Sequence, residues 1–357
     1  MNNLTGSKDE VIVLMSNTST NATTIEWTPL AMIFTLATIL SILFNGLLMV
    51  VFIYDHSLRT PFNVYLINLL IANLLCSIVQ NPLEIINTIS SNFWLGPQVC
   101  TLYQYAGYIL QASVSGAHIL IAVNRTWAVT HPISYRSIHS QVVAIALCLG
   151  MWTYIHLVLL PGILIDHLYY RMDMTKQKCF LDSSKQRTWA ILIQVIVFNN
   201  PQLIMVLSLI TVLVMRHIRE GKKKLRRVEP APINNTAITG ISPSTSLKFP
   251  QPSQRASTNG ERSSAQGTAK VVAAKRESNA YTVLGLLTIS AVVCWTPLDA
   301  LYTLEIFSTE QYPTFYQVAA ILHAFQVVLD PIMFVVSSPN MRMNLRRGMK
   351  GLVSLLL

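Results

Sequence analysis

Residues 100–135 read CTLYQYAGYILQASVSGAHILIAVNRTWAVTHPISY. They begin with a long apolar segment, and a charged side chain, Arg125, lies near the end of that segment. An arginine at the centre of a bilayer costs roughly 3 kcal/mol on insertion scales. At the end of an apolar helix it therefore extends to water, pairs with an acid or contacts a protein partner. Arg125 is accordingly the first candidate functional residue.

Composition places this segment in a membrane protein. Apolar residues make up 52% of the 357 residues and charged residues only 12%, whereas charged residues are about a quarter of a soluble domain. Most of the protein surface would therefore contact the lipid bilayer. The net charge of +10 is concentrated between apolar runs, where it sets orientation, so we expect no nucleic-acid partner.

Working outward from residues 100–135, the chain contains seven apolar segments long enough to cross a bilayer. The fold expected is an all-α membrane protein, a bundle of seven transmembrane helices. The predicted segments are 29–54, 62–90, 97–130, 140–165, 188–216, 279–306 and 313–337.

The flanking sequences predict the orientation of the bundle. Three Asn-x-Ser/Thr glycosylation sequons, at Asn3, Asn17 and Asn21, lie in the polar segment before the first span, and such sites are modified outside the cell. Basic residues cluster in 216–227 and 342–350, which the positive-inside rule assigns to the cytoplasm. We therefore expect a multi-pass plasma-membrane protein with an extracellular N-terminus.

These features divide the chain into five parts. Segment 217–276 is rich in Pro, Ser, Thr, Asn and Gly, which predicts a long, largely disordered cytoplasmic loop. After the seventh span, alternating apolar and basic residues predict an amphipathic helix on the inner membrane surface. The parts are an extracellular tail (1–28), helices one to five (29–216), the long loop (217–276), helices six and seven (277–337), and the amphipathic helix and tail (338–357).

Each apolar segment also carries marked residues in a fixed order. They are Asn45-Gly46, Asn68 and Asn73, Cys100 and Arg125, Trp152, Pro201, Cys294-Trp295-Thr296-Pro297, and Asp330-Pro331-Ile332-Met333-Phe334. From residue 40 to residue 350, apart from the long loop, this set resembles the rhodopsin-like (class A) G-protein-coupled receptors, with a distant similarity to their amine-receptor branch.

The resemblance implies a receptor rather than an enzyme, without a cofactor or a metal site. A heterotrimeric G protein would bind at the cytoplasmic face, at Arg125, Pro132, Ile133 and Glu277. An extracellular ligand, a small molecule or a peptide, would bind in the outer bundle. The resemblance also implies a disulfide between Cys100 and Cys179. A membrane transporter is the remaining alternative, although the two halves of the chain show no internal repeat.

Three mid-helix prolines indicate where the bundle bends. Pro201, Pro297 and Pro331 each remove a backbone hydrogen bond, so their helices can pivot. Trp295, close to Pro297, would form the floor of the outer half. The expected activation switch comprises Trp295, Pro297, Asn73, Asp330, Pro331 and Phe334.

Departures from the family pattern narrow the ligand class. Gly107 stands where amine receptors carry an aspartate, and segment 313–337 contains no lysine for a retinal Schiff base. A cationic, amine-like ligand would then be held by Asp299, unless Asp299 instead forms a structural bond with His323. A peptide ligand would use Glu84, Glu305 and the second outer loop. The candidate ligand-binding residues are Asp299, Gln111, Tyr108, His323, Tyr302 and Glu84.

One pair of polar residues looks exchanged between helices. The family's acid in the second helix is here Asn73, and the family's Asn before the seventh-helix proline is here Asp330. We expect both residues to share a polar layer with Asn45, whose amide can donate to the carboxylate. Val114 stands where the family often has a serine that coordinates sodium, so weak sodium sensitivity is expected.

Arg125 generates the first testable prediction. The family has an acid before this arginine, but here Asn124 provides no charge, so we expect measurable basal signalling. Asn124→Asp should lower basal second-messenger output and Glu277→Ala should raise it, because 1.4 kcal/mol shifts a two-state population roughly tenfold. Wild-type output from both variants, at equal surface expression, would contradict this account of Arg125.

Overall fold

The computed structural model contains seven long helices that are apolar enough to cross a membrane, so the predicted all-α seven-span fold is confirmed. It describes residues 25–55, 58–172, 178–182, 184–228, 259–308, 312–337, 342–343 and 345, without the side chains of 223–228 and 259–281. The spanning helices are α1 Pro29–Tyr54, α2 Pro61–Ile89, α3 Pro97–Thr130, α4 Gln141–Tyr170, α5 187–228, α6 Asn259–Phe307 and α7 Pro313–Ser337.

Local sequence signals begin several of these helices. The Thr28 and Thr60 hydroxyls accept hydrogen bonds from Ala31 N–H and Asn63 N–H, and each threonine is followed by a proline at the first helical position. Such a cap satisfies a backbone donor that the first turn leaves unpaired, and proline has no such donor to satisfy. Gly96, at φ 87°, precedes Pro97 and turns the chain into α3.

Helix α3 lies at the centre of the bundle. In its most apolar stretch 67% of the residues are buried inside the protein, against 22% in α4. The main hydrophobic core surrounds α3 and draws on α1, α2, α4, α5, α6 and α7. Polar side chains on α3 therefore face other helices, and they are the ones that can carry interactions across the bundle.

Prolines and wide π-helical turns bend the helices. Pro297 and Pro331 lie inside α6 and α7 as expected. Pro201 lies two residues after a π-helical segment, Gln194–Asn199, within α5. A similar segment, Cys76–Gln80, precedes the proline at position 82 in α2. Single π-helical turns are frequent at functional sites because they re-aim the side chains that follow.

Several predicted boundaries change in the structure. Helix α4 ends at Tyr170, five residues beyond the predicted 165, through a π-helical turn. Helix α5 continues to Val228 and α6 begins at Asn259, so helix extends into both ends of the predicted loop. The three sequons, the segment 229–258 and most of 338–357 lie outside the described residues, and the Glu277 side chain does as well.

Helices α4 and α5 approach closely at Gly162. A Cβ atom at this position would overlap the indole ring of Trp189 on α5. The Gly162 carbonyl also accepts a hydrogen bond from Gln186 Nε2, at 3.2 Å, just before α5. By contrast, a Cβ atom on Gly150, in the same helix, would meet nothing within 4 Å.

This pair of glycines gives a matched stability test. Gly162→Ala should lower the free energy of unfolding by about 1–3 kcal/mol, because overpacking displaces the Trp189 ring. Gly150→Ala should be neutral or stabilising, since glycine inside a helix costs roughly 0.5–1 kcal/mol relative to alanine. Thermal unfolding of both variants in the same detergent measures the difference, and equal shifts would show that the close approach is absent.

Candidate functional site

A disulfide closes one end of the bundle. Cys100, at the start of α3, is bonded to Cys179 in the α4–α5 connection, with Cα atoms 5.8 Å apart, so the predicted pairing is confirmed. The Asn87 side chain of α2 accepts a hydrogen bond from Cys179 N–H at 3.1 Å. The connection is thereby held over the helix ends, which we call the disulfide end.

A buried ion pair supports this disulfide, and sequence reasoning missed it. Arg171 lies 2.9 Å from Asp166, donates to the Thr101 hydroxyl at 3.1 Å and contacts the Cys100 sulfur. Burial lowers the pKa of the Arg171 guanidinium, and the Asp166 charge offsets part of that effect. Loss of either partner would leave an unpaired buried charge. No periodicity in the sequence connects Asp166 with Arg171.

A small polar cavity lies deeper, between α3, α5, α6 and α7. It has space for little more than a single water molecule. Gln111 on α3 and His323 on α7 meet across it with 2.9 Å between their Nε2 atoms. Three predicted ligand residues, Asp299, Gln111 and His323, are thus brought together. The full lining is Gln111, Ser115, Phe198, Trp295, Asp299 and His323.

The Asp299 carboxylate is bound from α5 rather than from α7. It accepts a hydrogen bond from Gln202, and Gln202 in turn accepts one from Thr296 at 2.6 Å. The alternative of a structural bond between Asp299 and His323 is therefore wrong. The reason is positional, because Asp299 faces the seam between α5 and α6 while His323 faces α3.

Glu84, Tyr108 and Tyr302 do not line this cavity. Glu84 accepts a hydrogen bond from the Tyr103 hydroxyl at 2.7 Å, and Tyr302 is 40% exposed. The Tyr108 ring packs edge-on to Phe198, with ring centroids 6.3 Å apart. The predicted ligand residues are therefore divided: Asp299, Gln111 and His323 line the cavity, Tyr108 packs against the cavity residue Phe198, and Glu84 and Tyr302 lie outside the lining.

A polar layer below the cavity connects four helices. Asp330 on α7 is fully buried and accepts a hydrogen bond from Asn73 Nδ2 at 3.0 Å. Asn73 also donates to Asn45 Oδ1 at 3.3 Å. Gln326 Nε2 donates to the second Asp330 oxygen at 2.7 Å. Asn73 thus contacts both Asp330 and Asn45, but the expected donation from the Asn45 amide to the carboxylate is wrong, because that amide donates to the Ser41 and Val327 carbonyls instead.

His118, like Gln326, belongs to this layer although the sequence did not indicate it. Its Nε2 atom lies 3.1 Å from an Asp330 oxygen, and its ring meets the Trp295 ring edge to face at 5.0 Å. His118 thereby connects Asp330 with the floor of the cavity. The signal available was a histidine on the most buried helix, but its partner lies 212 residues away.

The remaining predicted switch residues surround these groups. Trp295 is 3% exposed and lines the cavity from below. Pro331 is buried in α7 directly after Asp330, and Phe334 packs in the main core. Pro297 lies between Trp295 and Asp299 in α6. The switch residues are therefore contiguous from the cavity to the polar layer.

The opposite end of the bundle is organised around Arg125. Its guanidinium carbon lies 3.1 Å from the centroid of the Phe62 ring on α2, a cation–π contact. Pro132 begins a short helix, Pro132–Ile138, which we call the loop helix. Ile133 in this helix is 86% exposed, as a residue that contacts another protein would be.

Comparison with known proteins adds an independent result. A family model described as "7 transmembrane receptor (rhodopsin family)" matches residues 44–334. The ultraviolet-sensitive opsin of Apis mellifera is 29% identical over 125 residues, 35% of this chain and 33% of the opsin. The human uracil nucleotide/cysteinyl leukotriene receptor is 25% identical over 201 residues, 56% of this chain and 54% of that receptor.

The melatonin receptor type 1A of Ovis aries is 25% identical over 166 residues, 45% of this chain and 44% of the melatonin receptor. The matches thus span about a third to a half of the length of these relatives. Among the residues that the structure describes, no group of three or more His, Cys, Asp or Glu side chains could hold a metal ion.

The contact between Asn73 and Asp330 is testable by a double-mutant cycle. Asn73→Asp should bring two carboxylates together, and Asp330→Asn should remove the negative charge, so each should destabilise the protein by about 1–3 kcal/mol. The combined variant should recover at least about 1 kcal/mol beyond the sum, within the range of coupled neighbours. Thermal unfolding and folded yield measure the cycle, and additive losses would show that the two side chains do not share a site.

Proposed function

Since the chain belongs to the rhodopsin family of seven-transmembrane receptors, we propose that it binds an extracellular ligand at the disulfide end and activates a heterotrimeric G protein at the Arg125 end. Members of this family are receptors, not enzymes. The observation that carries the proposal is the continuous path from the cavity through Trp295 and His118 to Asp330.

The orientation and the location follow from the same proposal. The N-terminus is extracellular and the loop helix faces the cytoplasm, in agreement with the basic residues of 216–227 and 342–350. The protein resides in the plasma membrane, where its disulfide end meets an oxidising exterior.

We infer that the ligand is small and cationic or amine-like. The cavity is lined by one carboxylate, Asp299, together with the neutral hydrogen-bonding groups of Gln111 and His323. A carboxylate that has only one described side-chain donor, Gln202, retains oxygen lone pairs for an ammonium group. The aromatic floor, Trp295, provides a face that also favours cations.

The relatives do not indicate which ligand this protein binds. Each relative matches over only part of its length, and the ligands in their names differ. The opsin similarity supports no retinal site, since segment 313–337 has no lysine and Ala324 occupies the matching place.

A peptide ligand is the second candidate, and one observation favours it. The Glu84 carboxylate lies closer to the disulfide end than the cavity does, is bound by the Tyr103 hydroxyl, and is influenced by the charge of Lys178 in the α4–α5 connection. A basic peptide side chain could reach Glu84 from outside without entering the small cavity. Glu305 and the α4–α5 connection would contribute the remaining contacts.

At the Arg125 end the same proposal assigns the G-protein contact. Arg125, Pro132 and Ile133 would meet the G protein, and Glu277 would restrain Arg125 in the inactive state. Pivoting of α6 at Pro297 would separate Glu277 from Arg125. Because Asn124 contributes no charge, the protein would signal to a measurable extent without ligand.

The two ligand classes are distinguished by two carboxylate variants. In a second-messenger screen of small amines and peptides, Asp299→Asn should weaken the response to a cationic agonist about 10- to 100-fold. That range corresponds to loss of a charged hydrogen bond of about 1.5–3 kcal/mol. Glu84→Gln is the matched control and should leave that response unchanged at equal surface expression. The reverse pattern would move the ligand to Glu84 and support the peptide alternative.

A further inference from the structure

Aromatic rings pack against one another where the loop helix meets α2 and α3. The His139 ring, just after the loop helix, stacks on Tyr135 with centroids 4.4 Å apart and planes at 16°. It also stacks on Tyr65 of α2 at 5.9 Å and meets Trp127 of α3 edge-on at 6.1 Å. One imidazole thus contacts α2, α3 and the loop helix at the Arg125 end.

Asn124 binds this cluster through both ends of its side-chain amide. Its Nδ2 atom lies 2.9 Å from His139 Nε2, and its Oδ1 atom accepts a hydrogen bond from the Tyr135 hydroxyl at 3.3 Å. An amide nitrogen donates only, so His139 Nε2 presents its lone pair and the imidazole is neutral. Asn124 is 4% exposed, so its amide is shielded from water, and both bonds are partly buried.

The surrounding charge also favours a neutral imidazole. Burial, followed by the positive charge of Arg125, lowers the pKa of His139 below its usual 6.5. Burial raises the pKa of the Tyr135 hydroxyl, while Arg125 and Asn124 oppose that effect. The titratable groups that face His139 are therefore Tyr65 from α2, Arg125 from α3 and Tyr135 from the loop helix, and the only full positive charge among them repels a second proton.

We propose that Asn124 and His139 form a neutral latch that positions the loop helix, and Ile133 with it, for G-protein activation. His139 is then a positioning residue rather than a contact residue, and the proposal rests on the function proposed above. A carboxylate at position 124 can only accept hydrogen bonds, so it would require a proton on His139 Nε2 and would favour a charged imidazole, whereas the Asn124 amide donates to the neutral ring. Asn124 therefore fits His139 in a way that the family's usual acid does not.

The latch is first tested without any G protein. In the full-length protein in lipid nanodiscs, hydrogen exchange reports the loop-helix amides, including Tyr135 N–H to His131 O and His139 N–H to Tyr135 O. His139→Phe keeps a stacking ring but removes the acceptor, and should speed this exchange about 5-fold, the effect of one neutral hydrogen bond. His131→Phe, at the exposed start of the same helix, should change nothing.

A double-mutant cycle separates the latch from a general loss of packing. Asn124→Leu should speed exchange in the loop helix as His139→Phe does. The combined variant should speed it by less than the two effects together, because both substitutions remove the shared Asn124–His139 bond, although each also removes a second contact, with Tyr135 or with Tyr65. Exchange in α2 and at the disulfide end should stay as in wild type. Additive effects, or a wild-type rate in His139→Phe, would overturn the latch.

A pH profile supplies a readout that ring packing alone would not move. The pKa of His139 is lowered in the folded protein, so its contribution is complete above the usual value of 6.5 and is lost as the pH falls below it. At matched pH, the exchange rate of wild type should differ from that of His139→Phe at pH 7.5, and the two rates should converge as the pH is lowered from 6.5 through the lowered pKa of His139. A constant ratio would overturn the neutral-imidazole account.

The activation arm uses nucleotide exchange on purified heterotrimeric G proteins. His139→Phe should lower the rate of nucleotide exchange about 5-fold relative to wild type and to His131→Phe. The thermal stability of the disulfide end should be unchanged. An unchanged rate together with faster hydrogen exchange would overturn the role in activation. If the wild type itself drives no exchange on any G protein, the proposed function fails, and the hydrogen-exchange arms still decide whether the latch exists.

Discussion

The burial of one carboxylate, Asp330, is the constraint on which the middle of this bundle depends. A buried charge is tolerated only when hydrogen-bond donors surround it, and here the donors come from Asn73 on α2, Gln326 on α7 and His118 on α3. Asn45 connects α1 to the same layer through Asn73 and through the Val327 carbonyl. Four helices are thereby held in register at a depth where lipid offers no hydrogen bonds.

The same carboxylate relates the cavity to the rest of the protein. His118 binds Asp330 on one side and meets the Trp295 ring on the other, so a displacement of Trp295 cannot leave the polar layer unchanged. The prolines at 297 and 331 lie next to these two groups, where missing backbone bonds make bending easiest. Ligand binding above Trp295 would therefore act on a buried, hydrogen-bonded layer that is flanked by helices that can bend.

The Asn124 contacts at the Arg125 end follow a different rule, because they are hydrogen bonds between neutral groups. Arg125 lies over the Phe62 ring, and its neighbour Asn124 binds Tyr135 and His139 instead of pairing with the arginine. Neutral hydrogen bonds contribute about 1 kcal/mol each, less than a buried ion pair loses when it is broken. Hydrogen bonds of this strength keep the Arg125 end ordered and still allow it to rearrange, which a surface that exchanges protein partners requires.

The seven spans could be predicted from the amino-acid sequence alone, because a lipid bilayer requires runs of about 20 apolar residues. The marked residues, in their order along the chain, indicated the family and the disulfide. The sequence also identified Asn73 and Asp330 as neighbours, through their apparent exchange between helices. Other contacts became visible only once the helices were packed. They are the binding of Asp299 from α5, the place of His118 in the polar layer, the support of the disulfide by Arg171 and Asp166, and the bond between Asn124 and His139. The physical reason is common to all of these: each depends on which way a helix face turns and on partners from other elements, 212 residues apart for His118 and Asp330. Hydrophobic periodicity specifies that a face is buried, but the partner of a polar atom on that face is selected only when the helices pack.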